Sequence, residues 1–141
     1  PDYPAANAAQ RAMTGKGFSK QAWMIAPKMR DVDVVMTPAL QSRVREGHPA
    51  LAFTIFAGAP MIAHKTKLHG LFERLRVLHE LGFDPSALAT DLPTTVDAAA
   101  DDLLAACILA YVAARCLRGE AERVPEAPTI DARGLAMEMW G

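Results

Sequence analysis

The fold is decided by the stretch 98-AAADDLLAACILAYVAAR-115, which joins a long apolar run to two adjacent carboxylates near its start. The run is predicted to form a buried helix from about residue 96 to residue 118, ended by Gly119. Carboxylates near the start of a helix stabilise its dipole, so capping is one interpretation of Asp101 and Asp102. A divalent-metal site is the other, because paired acids on a helix and an acid on a strand are hard oxygen ligands for Mg²⁺ or Mn²⁺.

Other residues compete for the capping role. Thr94, Thr95 and Asp97 precede the apolar run and are of types that cap helices. With these as caps, the aspartate pair falls a turn further in, where the apolar face begins. The strand-borne acid taken as a candidate is Glu46, which Arg43 and Arg45 flank. Glu46 and the aspartates are therefore the candidate acids of a site.

The rest of the chain is predicted to be rich in helix. The clearest amphipathic helix covers residues 68–81, where apolar residues recur at i, i+3, i+4 and i+7: Leu68, Leu71, Phe72, Leu75, Leu78 and Leu81. Helices are also expected over residues 4–13, 20–36 and 38–44. Residues 48–58 fit a strand or a buried helix equally well, and short strands are expected at residues 44–48 and 134–140. These patterns predict a helix-rich α/β or α+β fold in one domain over residues 1–141.

Composition and charge exclude several classes of protein. The 141 residues are 51% hydrophobic and 22% charged, which is typical of a folded globular chain. Neither a membrane span nor a signal peptide is visible, so the cytoplasm is the expected location. Cys107 and Cys116 lie on opposite faces of one predicted helix and are expected to be free thiols.

The charge is unevenly distributed along the chain. Residues 11–76 contain eleven Lys or Arg and four Asp or Glu, whereas the remainder contains four and twelve. This asymmetry is compatible with a basic face for phosphates beside an acidic site. The loop 14-TGKGFSK-20 is either a plain turn between helices or part of a surface that contacts a nucleic-acid backbone through Lys16, Lys20, Lys28 and Arg30. It is not a Walker A loop, because a predicted helix rather than a strand precedes it.

Five blocks in this order resemble the DUF429 family: TGKGFSKQAWMIAPKMRDVD (14–33), REGHPALAF (45–53), KT-x-x-x-G-x-x-ERL (65–75), DDLLAACILAYVAARCLRGEAERVP (101–125) and DARGLAMEMW (131–140). The resemblance covers essentially the whole chain. Members of this family are predicted nucleases with an RNase H-like fold, similar to the Holliday-junction resolvase RuvC branch. Their pattern begins with an Asp-bearing strand, so the resemblance implies an RNase H-like fold that lacks its N-terminal strands here, as in a fragment.

The resemblance also implies a site and an activity. It implies a metal-dependent nuclease in which Glu46 and Asp102 ligate Mg²⁺ or Mn²⁺ and Asp101 assists. However, Ala50 and Ala105 stand where the family pattern has acids. These substitutions favour the alternative of a degenerate, non-catalytic binding or structural module, which is expected to self-associate or bind a partner through an exposed sheet edge or apolar face. A helical ligand or regulatory domain is the third interpretation.

Overall fold

A computed structural model describes residues 2–93 and 95–141, apart from the side chains of Ser86 and Ala89. The chain forms two compact units, Pro1–Gln41 and Ser42–Gly141. The single domain expected over residues 1–141 stays a prediction. The predicted cap Thr94 lies outside the described residues.

In the described part of the first unit, the chain forms helices α1 (Tyr3–Thr14), α2 (Lys20–Val35) and α3 (Pro38–Gln41), close to the predicted ranges. Each begins after a residue whose side-chain oxygen accepts a hydrogen bond from the backbone N–H three residues later: Asp2, Ser19 and Thr37. Helix α2 continues through Pro27. Local sequence signals therefore determine this unit well.

The loop between α1 and α2 is packed against α1. Its Phe18 ring lies 5.9 Å from the Tyr3 ring and 6.1 Å from the Trp23 ring, centroid to centroid. Asn7 Oδ1 accepts a hydrogen bond from the backbone N–H of Phe18 at 3.0 Å. A Cβ on Gly17 would lie 2.3 Å from Asn7 Oδ1, so a larger residue here would displace the Asn7 side chain from its bond to Phe18.

Three helices form the core of the second unit: α4 (Pro49–Ala57), α5 (Leu68–Glu80) and α7 (Ala100–Arg118). Phe53 of α4, Leu78 of α5 and Ile108 of α7 are fully buried where these helices meet. The ambiguous run at residues 48–58 is thus a buried helix, with Pro49 in its first turn and Gly58 in a left-handed conformation after it. A short helix that the sequence did not predict, α6 (Pro85–Asp91), packs against α7.

The buried face of α5 is rotated from the predicted apolar stripe. Leu78 is buried as expected, and three other predicted residues are partly buried against the core: Leu71, Leu75 and Leu81. However, Leu68 and Phe72 are 65% and 60% exposed. Arg74 is buried instead. At about 100° per residue, Phe72 lies about 120° from Leu78 and about 160° from Arg74, so it is on the opposite side of the helix. Contact with α4 and α7 selected the face, and the apolar spacing alone did not.

The expected strands are largely absent from the described residues. Strands β1 (Arg123–Val124) and β2 (Met139–Trp140) pair antiparallel, with Arg123 opposite Trp140. The segment predicted as a strand at residues 44–48 makes a single parallel bridge, from Gly47 to Trp140. A two-residue pair has too few cross-strand contacts to form a sheet of its own and depends on the helices beside it. The helix-rich class is confirmed, whereas the RNase H-like fold is not shown.

Candidate functional site at the start of helix α7

The aspartate pair lies in the first turn of α7 and not a turn further in. Helix α7 begins at Ala100, four residues later than predicted, and its N-cap is Ala99, which has no capping side chain. Thr95 and Asp97 therefore do not cap the helix. A backbone hydrogen bond from the N–H of Val96 to the carbonyl of Pro93 closes a turn before the helix starts. In this position both carboxylates interact favourably with the positive end of the helix dipole.

The two aspartates have different surroundings. Asp101 Oδ2 lies 2.7 Å from Lys65 Nζ, and its side chain is only 15% exposed. Asp102 is exposed. Lys65 belongs to the segment between α4 and α5, residues 58–67, which we name the Lys65 loop. The ion pair therefore joins this loop to the start of α7.

The Lys65 loop is held by two consecutive residues of α5. The carboxylate of Glu73 accepts hydrogen bonds from the backbone N–H groups of Ile62 and Ala63, at 3.0 and 3.1 Å. Arg74 Nη1 donates to the carbonyl of Ala63 at 3.3 Å and to that of Gly70 at 2.9 Å. The Ala63 peptide groups are thus bound on both their N–H and their C=O sides.

Gly70 allows the loop to approach α5 closely. A Cβ on Gly70 would lie 2.1 Å from the carbonyl oxygen of His64 and 2.9 Å from that of Ala63. Within the loop, the N–H of Lys67 donates to the carbonyl of His64 at 2.9 Å, which closes a turn around Lys65. Every side chain larger than hydrogen at position 70 would displace this turn.

These contacts set the electrostatics of the site. The hydrogen bond from Lys65 and the positive charge of its ammonium group lower the pKa of Asp101. The same hydrogen bond and the negative charge of Asp101 raise the pKa of Lys65. The two backbone N–H groups of Ile62 and Ala63 lower the pKa of Glu73. All three groups are therefore charged at neutral pH, and the site combines one cation with acidic side chains.

Glu46 lies elsewhere in this unit. Its backbone carbonyl accepts a hydrogen bond from the N–H of Trp140 at 2.8 Å. A Cβ on the next residue, Gly47, would lie 2.9 Å from Leu109 Cδ2. Leu109 is seven residues beyond Asp102, which is about 10 Å along a helix axis. The structure therefore does not bring Glu46 together with the aspartate pair.

The surroundings of Glu46 are also mainly apolar. It lines an open groove with Arg45, Leu109, Val112, Cys116 and Trp140. The guanidinium carbon of Arg45 lies 4.0 Å from the centroid of the Trp140 ring. Hard cations prefer a shell of oxygen atoms, which this groove does not offer.

The described residues do not form a cluster of metal ligands. They contain no group of three or more His, Cys, Asp or Glu side chains placed to share a metal ion. Mg²⁺ commonly binds one or two carboxylates and completes its shell with water and substrate phosphate. Asp101 and Asp102 are adjacent carboxylates, and Asp101 is already bound by Lys65. The predicted sharing of one metal by Glu46 and Asp102 has no support from their positions.

The predicted nucleic-acid contacts are all in the first unit. Lys16 lies in the loop before α2, whereas Lys20, Lys28 and Arg30 lie on α2, and all four are exposed. At about 100° per residue, Lys28 and Arg30 are about 160° apart around the helix. The three helical cations thus do not form a single stripe.

The cysteines are free, as expected. Cys107 is buried in the core, and burial raises the pKa of its thiol. A raised pKa disfavours the thiolate, so Cys107 has the properties of a packing residue.

Sequence reasoning missed Lys65, Gly70, Glu73 and Arg74 as site residues. They are the fixed positions of the KT-x-x-x-G-x-x-ERL block, which was recognised but received no role. The signal was present in the pairing of Glu73 and Arg74 with a glycine one turn earlier. Its meaning depended on where the preceding loop lies, which spacing does not show.

In the part of the chain that the structure describes, no helix is both long and apolar enough to cross a membrane.

Comparison with known proteins finds a family and no individual relative. No curated protein and no solved structure matches the sequence. The sequence model of a family described as "Protein of unknown function (DUF429)" matches residues 1–130, so the chain belongs to the DUF429 family.

Proposed function

We propose that the protein is a nuclease of RNase H-like type that hydrolyses phosphodiesters with Mg²⁺ or Mn²⁺, and that its site is Lys65, Asp101 and Asp102. The observation that carries the proposal is the 2.7 Å contact of Lys65 with Asp101 beside the exposed Asp102. A cation and two carboxylates together can bind a phosphate and a metal ion. The chain belongs to the DUF429 family, and the nuclease activity is what the resemblance of its sequence blocks to that family implies.

Each residue has a distinct role in this proposal. Asp102 is exposed and would hold the metal ion, with Asp101 as the second carboxylate. When bound, the ion supplies a polarised water and neutralises charge on the phosphate. Lys65, which is 54% exposed, would bind a non-bridging phosphate oxygen through its ammonium group. Lys16, Lys20, Lys28 and Arg30 remain the proposed contacts to the nucleic-acid backbone.

Titration with Mn²⁺ tests the site. Paramagnetic broadening of backbone amides should appear first at residues 64–66 and 100–103, because the ion would bind there. Asp102→Asn should weaken binding by about tenfold or more, whereas Glu46→Gln, the matched control in the apolar groove, should leave it unchanged. Lack of broadening at millimolar Mn²⁺, or equal binding by Asp102→Asn, would overturn the proposed metal site.

Cleavage tests the activity itself. Labelled single-stranded DNA, RNA and a four-way junction are incubated with the protein and Mn²⁺, and the products are separated by electrophoresis. Cleavage should be abolished by Asp102→Asn and strongly reduced by Lys65→Met. Lys67→Met is the matched control, since Lys67 is in the same loop. Absence of cleavage of all three substrates refutes the nuclease proposal.

The second candidate is a non-catalytic binding module of the same family. It is favoured by the separation of Glu46 from the aspartate pair and by Ala50 and Ala105, which replace acids of the family pattern. In this case the chain binds nucleic acid or a second copy without hydrolysis. Binding of labelled DNA or RNA without products, unchanged in Asp102→Asn, would favour this candidate. Light scattering would then show whether the module self-associates.

A further inference from the structure

The contacts of α5 with the Lys65 loop are unusually concentrated on one segment. Two adjacent charged residues bind the backbone at Ile62 and Ala63, and they use three hydrogen bonds to do so. Arg74 is 8% exposed, and its guanidinium carbon also lies 5.6 Å from the centroid of the Phe53 ring. A buried charge is costly unless its hydrogen bonds are made, and Nη1 of Arg74 donates to the carbonyls of Ala63 and Gly70. The loop is therefore held against α5 by a side chain that is itself fixed by its surroundings.

These hydrogen bonds also restrict the backbone at Lys65, two residues after Ala63. Lys65 follows the clamped Ala63 and the His64 carbonyl that faces Gly70. With the backbone fixed on that side and a turn closed at Lys67, the side chain of Lys65 begins from a defined point and reaches Asp101. A lysine on a free loop would lose backbone entropy in addition to side-chain entropy in making this contact.

We propose that Glu73 and Arg74 are positioning residues for Lys65, which fix its loop so that the ammonium group is presented at Asp101. The geometric part of this inference is independent of activity. Its meaning for catalysis, namely that Lys65 is oriented in advance for the substrate phosphate, rests on the proposed function. Pre-organisation of a charged group lowers the cost of orienting it when the substrate binds.

The experiment compares the rates at which Lys65 and Lys67 are acylated by an N-hydroxysuccinimide ester, with mass spectrometry as the readout. Lys65 should react more slowly than Lys67 in the native protein because Asp101 binds its ammonium group. In Glu73→Gln a single amide oxygen remains as acceptor for the two N–H groups of Ile62 and Ala63. The ratio of the Lys65 acylation rate to that of Lys67 should therefore rise by about two- to fivefold. Asp101→Asn should raise the same ratio to a similar extent. Glu80→Gln, at the exposed end of the same helix, should not change the ratio.

A role in stability alone would not change this ratio in a variant whose melting temperature is unchanged. Amide hydrogen exchange at Ile62 and Ala63 shows whether the clamp has opened. Faster exchange in Glu73→Gln together with a higher ratio supports the proposal. An unchanged ratio, with or without faster exchange, overturns it.

A measurement on the unmodified protein covers the case in which Glu73→Gln fails to fold. Over a range of urea below global unfolding, Lys65 acylation and exchange at Ile62 and Ala63 should rise at the same concentration. Independent rises overturn the proposal. Neither assay contains metal or nucleic acid, so failure of Mn²⁺ binding or cleavage refutes the proposed function and leaves this inference standing.

Discussion

The substitution Gly70→Ala distinguishes local preference from tertiary packing. Gly70 lies in the first turn of α5, and it is buried. Helix propensity alone predicts that alanine stabilises the protein by about 1 kcal/mol. The structure predicts the opposite sign, because the new Cβ would lie 2.1 Å from the carbonyl oxygen of His64.

The size of the effect follows from what must move. The obstacle is backbone, so no side-chain rotation relieves it, and the Lys65 loop must retreat by roughly 1 Å or more to regain van der Waals separation. The retreat would stretch the bonds from Glu73 and Arg74 to the loop. Overpacking of this kind costs about 1–3 kcal/mol, and after the helix gain of about 1 kcal/mol we expect a net loss of up to about 2 kcal/mol.

Urea unfolding followed by circular dichroism at neutral pH measures this difference. His69→Ala is the matched control, because His69 is exposed, precedes Gly70 and introduces the same residue type into the same turn. Its free energy of unfolding should change by less than about 0.5 kcal/mol. A Gly70→Ala protein that is more stable than the wild type would refute the close contact of the loop with α5.

The other predictions concern the core, the ion pair and the thiols. Leu78→Ala should lower the free energy of unfolding by about 2–5 kcal/mol, whereas Leu68→Ala, from the exposed side of the same helix, should cost less than about 1 kcal/mol in the same urea assay. The folded pKa of Asp101 is lowered by Lys65, so the stability it contributes is complete above about pH 4 and is lost as the pH falls through the lowered pKa. Acid titration of unfolding should therefore be less steep in Asp101→Asn. Cys107 should react with a disulfide reagent more slowly than Cys116 in the native protein and at a similar rate in urea, because Cys107 is the more buried thiol.

The acidic part of the candidate site was visible in the sequence, and the basic part was not. Asp101 and Asp102 are conspicuous at the head of an apolar helix. Lys65 is one of two lysines in a loop, and only its 2.7 Å contact with Asp101 separates it from Lys67. Residue type and the family pattern selected Glu46, which lines a groove with Leu109 in the structure, and its role as a metal ligand stays a prediction. Residue type shows which side chains could take part in a site, and only their distances in the folded chain show which of them do.

Most of the helices were predictable because their signals are local, although α6 was not predicted and α4 was also compatible with a strand. Caps at Ser19 and Thr37, the glycines that end α4 and α7, and the apolar content of α7 act within one or two helical turns. Tertiary structure decided which side of α5 is buried and where the Lys65 loop lies. These depend on contacts between residues distant in sequence, whose energies no local pattern records. The aspartate pair illustrates both, since the sequence shows it at the head of an apolar helix, whereas its place in the first turn and its partner Lys65 are seen only in the structure.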